Sequence, residues 1–263
     1  MPALEAKELF FSYKGKTVLE NVSFTVNNGE SWAVIGRNGV GKSTLLKCLC
    51  ALIKPSSGSV FVDNTAISKL PPKEIAKVIA YVPQGNAMRP PPFTVREYVM
   101  MARFPYRTFA SLPSKEDKIR VDEALSLTGT EHLDNRIMDT LSGGEFQAAL
   151  LAGAIAQGAK FLLLDEPTTY LDPCHQENVR IVIERIRGRG NTSVITVTHD
   201  VNFALSCHDN LLALVNGKVE FCGKKEQFCI DARQYLSKIF SVKFGEVSVY
   251  NEKTVYFTQG SAL

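Results

Sequence analysis

The sequence predicts an α/β fold in which a mostly parallel sheet is interrupted by a helical insertion. Wholly apolar runs at residues 32–35 and 161–164, and the run Val-Ile-Thr-Val at 194–197, are typical of strands buried on both faces of a parallel sheet. Between the first two runs, the pattern from residue 94 to 157 is mostly helical, and strand signals are nearly absent. The first run leads into a glycine-rich loop and a helix, which predicts a strand–loop–helix unit.

The composition is that of a globular chain and excludes several other classes of protein. The 263 residues are 45% hydrophobic and 22% charged, which rules out a disordered chain, a collagen-like repeat and a disulfide-dense small protein. Lys and Arg number 30 against 27 Asp and Glu, so the net charge is +3. This excess is small and no like-charged stripe accompanies it, so we expect no nucleic-acid partner.

We expect the chain to be soluble, or to be bound to a membrane only through partners. Its first residues alternate in charge and lack the apolar core of a secretory signal. The longest apolar run, residues 148–156, is half the roughly 18 residues that a membrane helix needs. None of the six cysteines forms a C-x-x-C pair, which favours reduced cytosolic thiols over a metal or disulfide role.

The N-terminal part is predicted to alternate between strands and short helices. Gly15 marks a turn between two strands, and Pro55 and Pro72 mark a helix end and a helix start. In order, we expect strands at 9–13, 22–26 and 32–35, a helix at 43–52, a strand at 58–62, a helix at 71–77 and a strand at 78–82.

The rest of the chain is predicted to return to the sheet after the helical insertion. Asn216-Gly217 between two apolar runs is the strongest short signal for a hairpin. We expect helices at 94–102, 115–127, 144–156, 173–188 and 233–240, and strands at 161–164, 194–197, 211–215, 219–221, 247–250 and 254–257. The α/β core then comprises residues 1–87 and 158–225, the helical subdomain 88–157, and the C-terminal helix and strands 226–263.

A phosphate-binding loop follows the first buried strand. The segment fits G-x-x-x-x-G-K-[ST] in the context that this motif requires, and its residues are Gly36, Arg37, Asn38, Gly39, Val40, Gly41, Lys42, Ser43 and Thr44. Glycines let backbone N–H groups turn towards phosphate oxygens, and the helix N-terminus adds its positive end. Lys42 is predicted to reach the β- and γ-phosphates, and Ser43 to ligate Mg²⁺.

This loop alone leaves kinases, GTPases and many ATPases open. A GTPase would carry an Asn-Lys-x-Asp segment, which does not occur. The strand at 161–164 ends in two acids, Asp165 and Glu166. Asp165 is predicted to hold the Mg²⁺ water shell, and Glu166 to polarise a water for in-line attack on the γ-phosphate.

A third segment, Leu-Ser-Gly-Gly-Glu at residues 141–145, resembles the signature of ATP-binding-cassette (ABC) ATPases. The resemblance implies one ABC ATPase domain over residues 1–263, with a P-loop NTPase (RecA-like) core, an N-terminal antiparallel β subdomain and an inserted α-helical subdomain. It also implies that Ser142, Gly143 and Gly144 bind ATP held on the phosphate loop of a partner chain. A bare Ser-Gly-Gly would otherwise be read as a flexible turn.

Further positions match the family in order along the chain. The resemblance implies that Tyr13 stacks on adenine, that Gln84 touches Mg²⁺ and senses a membrane partner, and that Asp172 contacts the opposite subunit. It implies that His199 contacts the γ-phosphate and that Gln147 belongs to the ATP site. Each has a simpler reading on its own: Tyr13 as a half-buried strand residue, Gln84 as a surface residue and His199 as a structural histidine.

Three stretches, at 93–106, 169–176 and 199–204, look like importers for iron-siderophores, haem and cobalamin. This branch implies ATP and Mg²⁺ as cofactors, a homodimer, integral membrane permease subunits and, indirectly, a substrate-binding protein. It implies a peripheral position on the cytoplasmic side of the inner membrane. Phe146 and Ala148 depart from the basic residues common in the family. A soluble non-transport ABC ATPase, a non-hydrolysing nucleotide sensor and an exporter half remain the alternatives.

Overall fold

A computed structural model describes residues 3–84, 92–108, 111–249 and 253–262. The predicted strand at 247–250 therefore ends outside the described residues at Tyr250. No helix within these described ranges is long and apolar enough to cross a membrane. The six cysteines, all within the described ranges, form no disulfide.

The centre of the fold is a six-stranded sheet with the strand order β10-β9-β3-β8-β7-β6. Strands β6, β7, β8, β3 and β9 pair in parallel, and β10 adds an antiparallel edge. The strands span Ser31–Ile35 (β3), Ile79–Val82 (β6), Phe161–Asp165 (β7), Ser193–Thr198 (β8), Asn210–Val215 (β9) and Lys218–Lys224 (β10). The predicted apolar runs thus form adjacent central strands.

A second, antiparallel sheet covers one face of this centre, with the order β2-β1-β4-β5. Its strands span Ala3–Tyr13 (β1), Lys16–Asn27 (β2), Ser57–Val62 (β4) and Thr65–Ala66 (β5). Strands β1 and β2 are longer than predicted. The pairing of β1 with β2 shifts register between Ala6 and Leu9, and Glu8 has a φ of 49°, so a bulge interrupts the alternation that marks a strand in the sequence.

Nine helices are described between and after the strands. They span Lys42–Leu49 (α1), Pro72–Val78 (α2), Val95–Met101 (α3), Lys115–Thr128 (α4), Gly143–Ala156 (α5), Pro173–Gly188 (α6), Val201–Cys207 (α7), Lys225–Ile230 (α8) and Ala232–Phe240 (α9). The sequence predicted neither α7 nor α8. Helix α1 ends at Leu49 rather than at residue 52, because Ala51 takes a φ of 57° that ends the helical path.

The core lies on both faces of the parallel sheet. Leu163 of β7 packs with the cluster under the antiparallel sheet and α1. Its neighbours Leu162 and Leu164 point to the other face, where they pack against α6. Successive residues of a strand face opposite sides, so a run of four apolar residues is what a strand with two covered faces requires.

Helices α3, α4 and α5 form a separate layer with its own apolar core, which includes Val99, Leu125 and Met138. Each of the three begins with a capping box, whose Ncap residues are Thr94, Ser114 and Ser142. In a capping box the hydroxyl accepts from the N3 amide while the N3 carboxylate accepts from the Ncap amide. The starts of these helices are therefore fixed by local sequence.

The chain ends in a two-stranded antiparallel hairpin, β11 (Val242–Val249) and β12 (Lys253–Ala262). It is longer than the two short strands predicted for this region. Tyr256 is a buried residue of the hairpin, with 6% of its surface exposed, and it belongs to an apolar cluster with residues of α7, α9, β3 and β9.

Candidate functional site

The phosphate-binding loop connects β3 to α1 at the carboxyl end of the central sheet. Gly41, the Ncap residue of α1, has a φ of 107°, which L side chains rarely adopt. A Cβ at this position would lie 2.8 Å from the carbonyl oxygen of Val18. The loop therefore needs glycine here both for its backbone conformation and for its packing against β2.

Lys42 is the first residue of α1, and its side chain is turned back into the loop. Its Nζ donates hydrogen bonds to the carbonyl oxygens of Gly36 at 2.8 Å and Arg37 at 3.1 Å. Nζ also lies 3.8 Å from Oε1 of Glu166, and both side chains are nearly buried. Burial lowers the pKa of Lys42, while the carboxylates of Glu166 and Asp165 act in the opposite direction.

Asp165, the last residue of β7, joins the phosphate loop to the central sheet. Ser43 Oγ donates to its Oδ1 at 2.8 Å, and the hydroxyl of Tyr81 donates to its Oδ2 at 3.1 Å. Burial raises the pKa of Asp165, although these two hydrogen bonds lower it. Burial also raises the pKa of Tyr81. Tyr81 lies in the strand predicted at 78–82 and was not predicted to be a site residue.

Glu166 lies at the centre of the candidate site, with a φ of 48°. Its Oε2 lies 3.0 Å from Nδ1 of His199 and accepts a 2.8 Å hydrogen bond from Thr169 Oγ1. Only 9% of the Glu166 side chain is exposed, against 48% for His199. Thr169 was not predicted to be a site residue, although it follows Glu166 by three positions and lies in the same turn.

The donor set near the loop suits a magnesium ion. Ser43 supplies a hydroxyl oxygen and Asp165 a carboxylate, and the two groups are already in contact. Mg²⁺ prefers oxygen ligands and is usually held by one or two protein groups together with phosphates and waters. A hydroxyl and one carboxylate beside a phosphate-binding loop match that pattern.

The segment at 141–145 lies at the start of α5. Ser142 is the Ncap residue, and its hydroxyl accepts from the amide of Glu145 at 3.3 Å. Gly144 lies against the ring of His175, such that a Cβ on Gly144 would be 1.9 Å from the ring Cδ2. Nδ1 of His175 in turn lies 2.8 Å from Oδ2 of Asp172, the Ncap residue of α6.

The predicted site residues thus fall into two groups. Lys42, Ser43, Asp165, Glu166 and His199 are linked by direct contacts. Within the described ranges, no hydrogen bond or ion pair joins this cluster to the predicted residues Tyr13, Gln84, Ser142, Gly143, Gly144, Gln147 and Asp172.

The remaining predicted residues are placed as follows. Tyr13 ends β1 and is 63% exposed. Gln84 is partly exposed just after β6, beside the segment that lies outside the described residues. Gln147 is buried in α5, and its Nε2 has no hydrogen-bond partner among the described residues. In the loop, Arg37, Asn38 and Gly39 are exposed, and Val40 and Thr44 are half-buried.

The chain resembles known proteins over most of its length. It is 37% identical to a protein of Bacillus subtilis (strain 168) named "Probable siderophore transport system ATP-binding protein YusV", over 86% of this chain and 82% of the other.

Two solved structures share its fold. A chain of an ABC transporter assigned to the metal-chelate type, in an inward-facing conformation, has a TM-score of 0.83 and 28% identity, with 97% of this chain and 96% of the other covered. The ATP-binding cassette MJ0796, solved as a dimer in a post-hydrolysis state with ADP and Pi, has a TM-score of 0.74 and 28% identity, with 84% and 98% covered.

The model of the family described as "ABC transporter" matches residues 19–169, which include the phosphate loop, the segment at 141–145 and the acidic end of β7. The geometry, the relatives and this match agree, and the chain belongs to the ABC transporter family.

Proposed function

We propose that this ABC ATPase powers the uptake of an iron-siderophore, haem, cobalamin or a related metal chelate across a cell membrane. The cargo class is supported by the similarity to a protein named for siderophore transport and to a transporter assigned to the metal-chelate type. The assignment of ATP hydrolysis rests on one observation: the buried Glu166 carboxylate contacts both Lys42 and His199.

In this proposal the loop from Gly36 to Thr44 holds the phosphates of ATP through its backbone amides and the positive end of α1. Lys42 exchanges its contacts with the loop carbonyls for contacts with the β- and γ-phosphates. Ser43 and Asp165 hold Mg²⁺, which when bound neutralises charge that develops on the phosphate oxygens. Tyr13 stacks on the adenine, and Gln84 lies near the metal.

Glu166 orients and polarises the attacking water. Its Oε2 already accepts from Thr169 and contacts His199, so the carboxylate is held in one orientation before water arrives. His199 is more exposed than Glu166, and it stabilises the charge on the transferred γ-phosphate. Catalysis of this kind depends mainly on position and electrostatics.

Two copies complete the site. Ser142, Gly143, Gly144, Gln147 and Asp172 have no hydrogen bond or ion pair to the cluster around Glu166 in the described part of one chain, and in the proposal they act on ATP bound by the partner copy. The similar cassette MJ0796, solved as a dimer with ADP and Pi, supports this arrangement. The head-to-tail pair works with permease subunits at the cytoplasmic side of the membrane and, indirectly, with a substrate-binding protein.

The experiment that tests the proposal is a pull-down of the tagged chain from native membranes in mild detergent, with mass spectrometry of the partners. We expect a polytopic membrane protein to co-purify with it. Binding of iron-loaded siderophore, haem or cobalamin by the associated substrate-binding protein then identifies the cargo. Recovery of soluble proteins alone would overturn the importer assignment and favour a soluble non-transport ABC ATPase, while ATP hydrolysis by the purified chain would remain.

A further inference from the structure

The C-terminal hairpin touches the candidate site from outside, through α7. This helix begins two residues after His199, and Asp200 is its Ncap residue. Asn202, its second residue, donates from Nδ2 to the carbonyl oxygen of Tyr256 at 3.0 Å, and its Oδ1 accepts from the amide of Tyr256 at 2.9 Å. One side chain therefore pairs with both backbone groups of a residue in β12.

This contact acts on the short segment that carries His199. The ring of His199 contacts Glu166, but its side chain is about half exposed. On the N-terminal side the segment is fixed by β8, where Thr198 Oγ1 accepts from the amide of Asp200 at 3.0 Å. On the other side, Asn202 joins it to the hairpin. His199 thus lies between a strand of the central sheet and an anchor 54 residues further along the chain.

The same C-terminal region also contacts the phosphate loop. Nη1 of Arg37 donates to Oγ of Ser241 at 3.2 Å, and Ser241 is the turn residue between α9 and β11, with a φ of 56°. The hairpin is therefore connected to both sides of the site, to the loop through Ser241 and to α7 through Tyr256.

A cavity lies between the Arg37–Ser241 contact and the Asn202–Tyr256 contact. Its volume is about 560 Å³, and it is lined by Arg37, Asn38 and His199 on the side of the site and by Phe244 and Phe257 on the side of the hairpin. The hairpin is consequently not packed solidly against His199. Tyr256 belongs to the same buried apolar cluster as Val201 and Ala204 of α7, so the hairpin holds this helix both through that packing and through the Asn202 hydrogen bonds.

We infer that Asn202 is a positioning residue for ATP hydrolysis, which holds His199 in place by tying α7 to the C-terminal hairpin. The inference rests on the proposed role of His199 at the γ-phosphate. A two-stranded hairpin is marginally stable by itself, so its hold on α7 also depends on the burial of Tyr256 beside α9. The hairpin is then part of the hydrolytic machinery and not an appendage.

The test is steady-state ATP hydrolysis by the full chain and its Asn202→Ala variant, together with equilibrium binding of ATP. We expect kcat to fall at least about fivefold, because a small misplacement of a catalytic group is costly, while KM and the affinity for ATP change less than about twofold. Asn202→Asp keeps an acceptor for the Tyr256 amide but places a second acceptor oxygen opposite the Tyr256 carbonyl, so we expect a loss of kcat at least as large as in Asn202→Ala. The amide of Tyr256 should exchange hydrogen faster in Asn202→Ala.

Ser206→Ala is the matched control, since Ser206 lies on the same helix and its hydroxyl donates to the carbonyl of Phe203 within that helix. We expect this variant to keep the parental kcat. An unchanged kcat in Asn202→Ala would overturn the inference, and so would equal losses in Asn202→Ala and Ser206→Ala. Failure of the chain to transport any chelate would refute the proposed cargo but leave this test intact, because it requires only ATP hydrolysis.

Discussion

Ser43 Oγ donates a 2.8 Å hydrogen bond to Oδ1 of Asp165 and so joins the first turn of α1 to the end of β7. The two residues are 122 positions apart in the chain. The parallel sheet brings them together, because the carboxyl ends of β3 and β7 lie at the same edge. This single contact links the phosphate loop to the acidic strand, so it can be tested through the metal dependence of the enzyme.

Ser43→Ala is expected to raise the Mg²⁺ concentration for half-maximal ATP hydrolysis by about tenfold, since it removes a metal ligand and a partner of the carboxylate. A magnesium titration of the steady-state rate measures this. Ser43→Thr retains the hydroxyl and is expected to stay near the parental value. The same magnesium dependence in all three proteins would refute the assignment of Ser43 to the metal.

Glu166→Gln is expected to lower ATP hydrolysis by at least about 100-fold, because an amide cannot accept the proton of the attacking water. ATP binding should persist, since Lys42 and the loop remain. Phosphate release and equilibrium ATP binding measure the two quantities. Glu116→Gln, on the exposed surface of α4, is the control and should hydrolyse ATP at the parental rate. Turnover by Glu166→Gln at that rate would show that Glu166 is not the base.

The parts of the fold that the sequence predicted are those with a strong local pattern. The runs at 161–164 and 194–197 form adjacent strands, because short runs dominated by apolar and β-branched residues fit a strand covered on both faces. Helices α4 and α5 were predicted nearly to the residue, since Ser114 and Ser142 carry capping boxes. Where a bulge breaks the alternation, as at Glu8, the extent of β1 was missed.

The candidate site also contains residues that the sequence could predict and residues that it could not. The phosphate loop and the acidic end of β7 could be predicted from their motifs. Tyr81 could not, because its hydroxyl reaches Asp165 only when β6 lies beside β7 in the sheet. The pairing of Asn202 with Tyr256 depends on where the C-terminal hairpin packs, and no periodicity near either residue encodes that contact.

His208 is expected to make the fold sensitive to acid. The ring is wholly buried, and burial lowers the pKa of His208 to about 3 from 6.5. The unfolded chain therefore binds a proton below pH 6.5 that the folded chain does not, so stability is greatest above 6.5 and is lost as the pH falls towards 3. The resulting loss in the free energy of unfolding between about pH 7 and 5 is about 2 kcal/mol.

Urea denaturation of the parent and of His208→Gln at these two pH values measures the effect. Glutamine does not titrate, so the variant is expected to lose about 2 kcal/mol less stability on acidification than the parent does. The comparison uses the change with pH within each protein, which removes any constant cost of the substitution. An equal loss in both proteins would assign the acid sensitivity to other groups.

Gly144→Ala is expected to destabilise the fold by about 1–3 kcal/mol, because overpacking forces neighbouring side chains out of place. The new Cβ would lie 1.9 Å from the ring of His175, which must then leave its 2.8 Å contact with Asp172. Gly143→Ala is the matched control: nothing lies within 4 Å of a Cβ there, so no loss of stability is expected. If His175 is the obstacle, adding His175→Ala to Gly144→Ala should recover more than half of the lost free energy of unfolding. Chemical denaturation of the four proteins decides this, and a double variant no more stable than Gly144→Ala would place the conflict elsewhere.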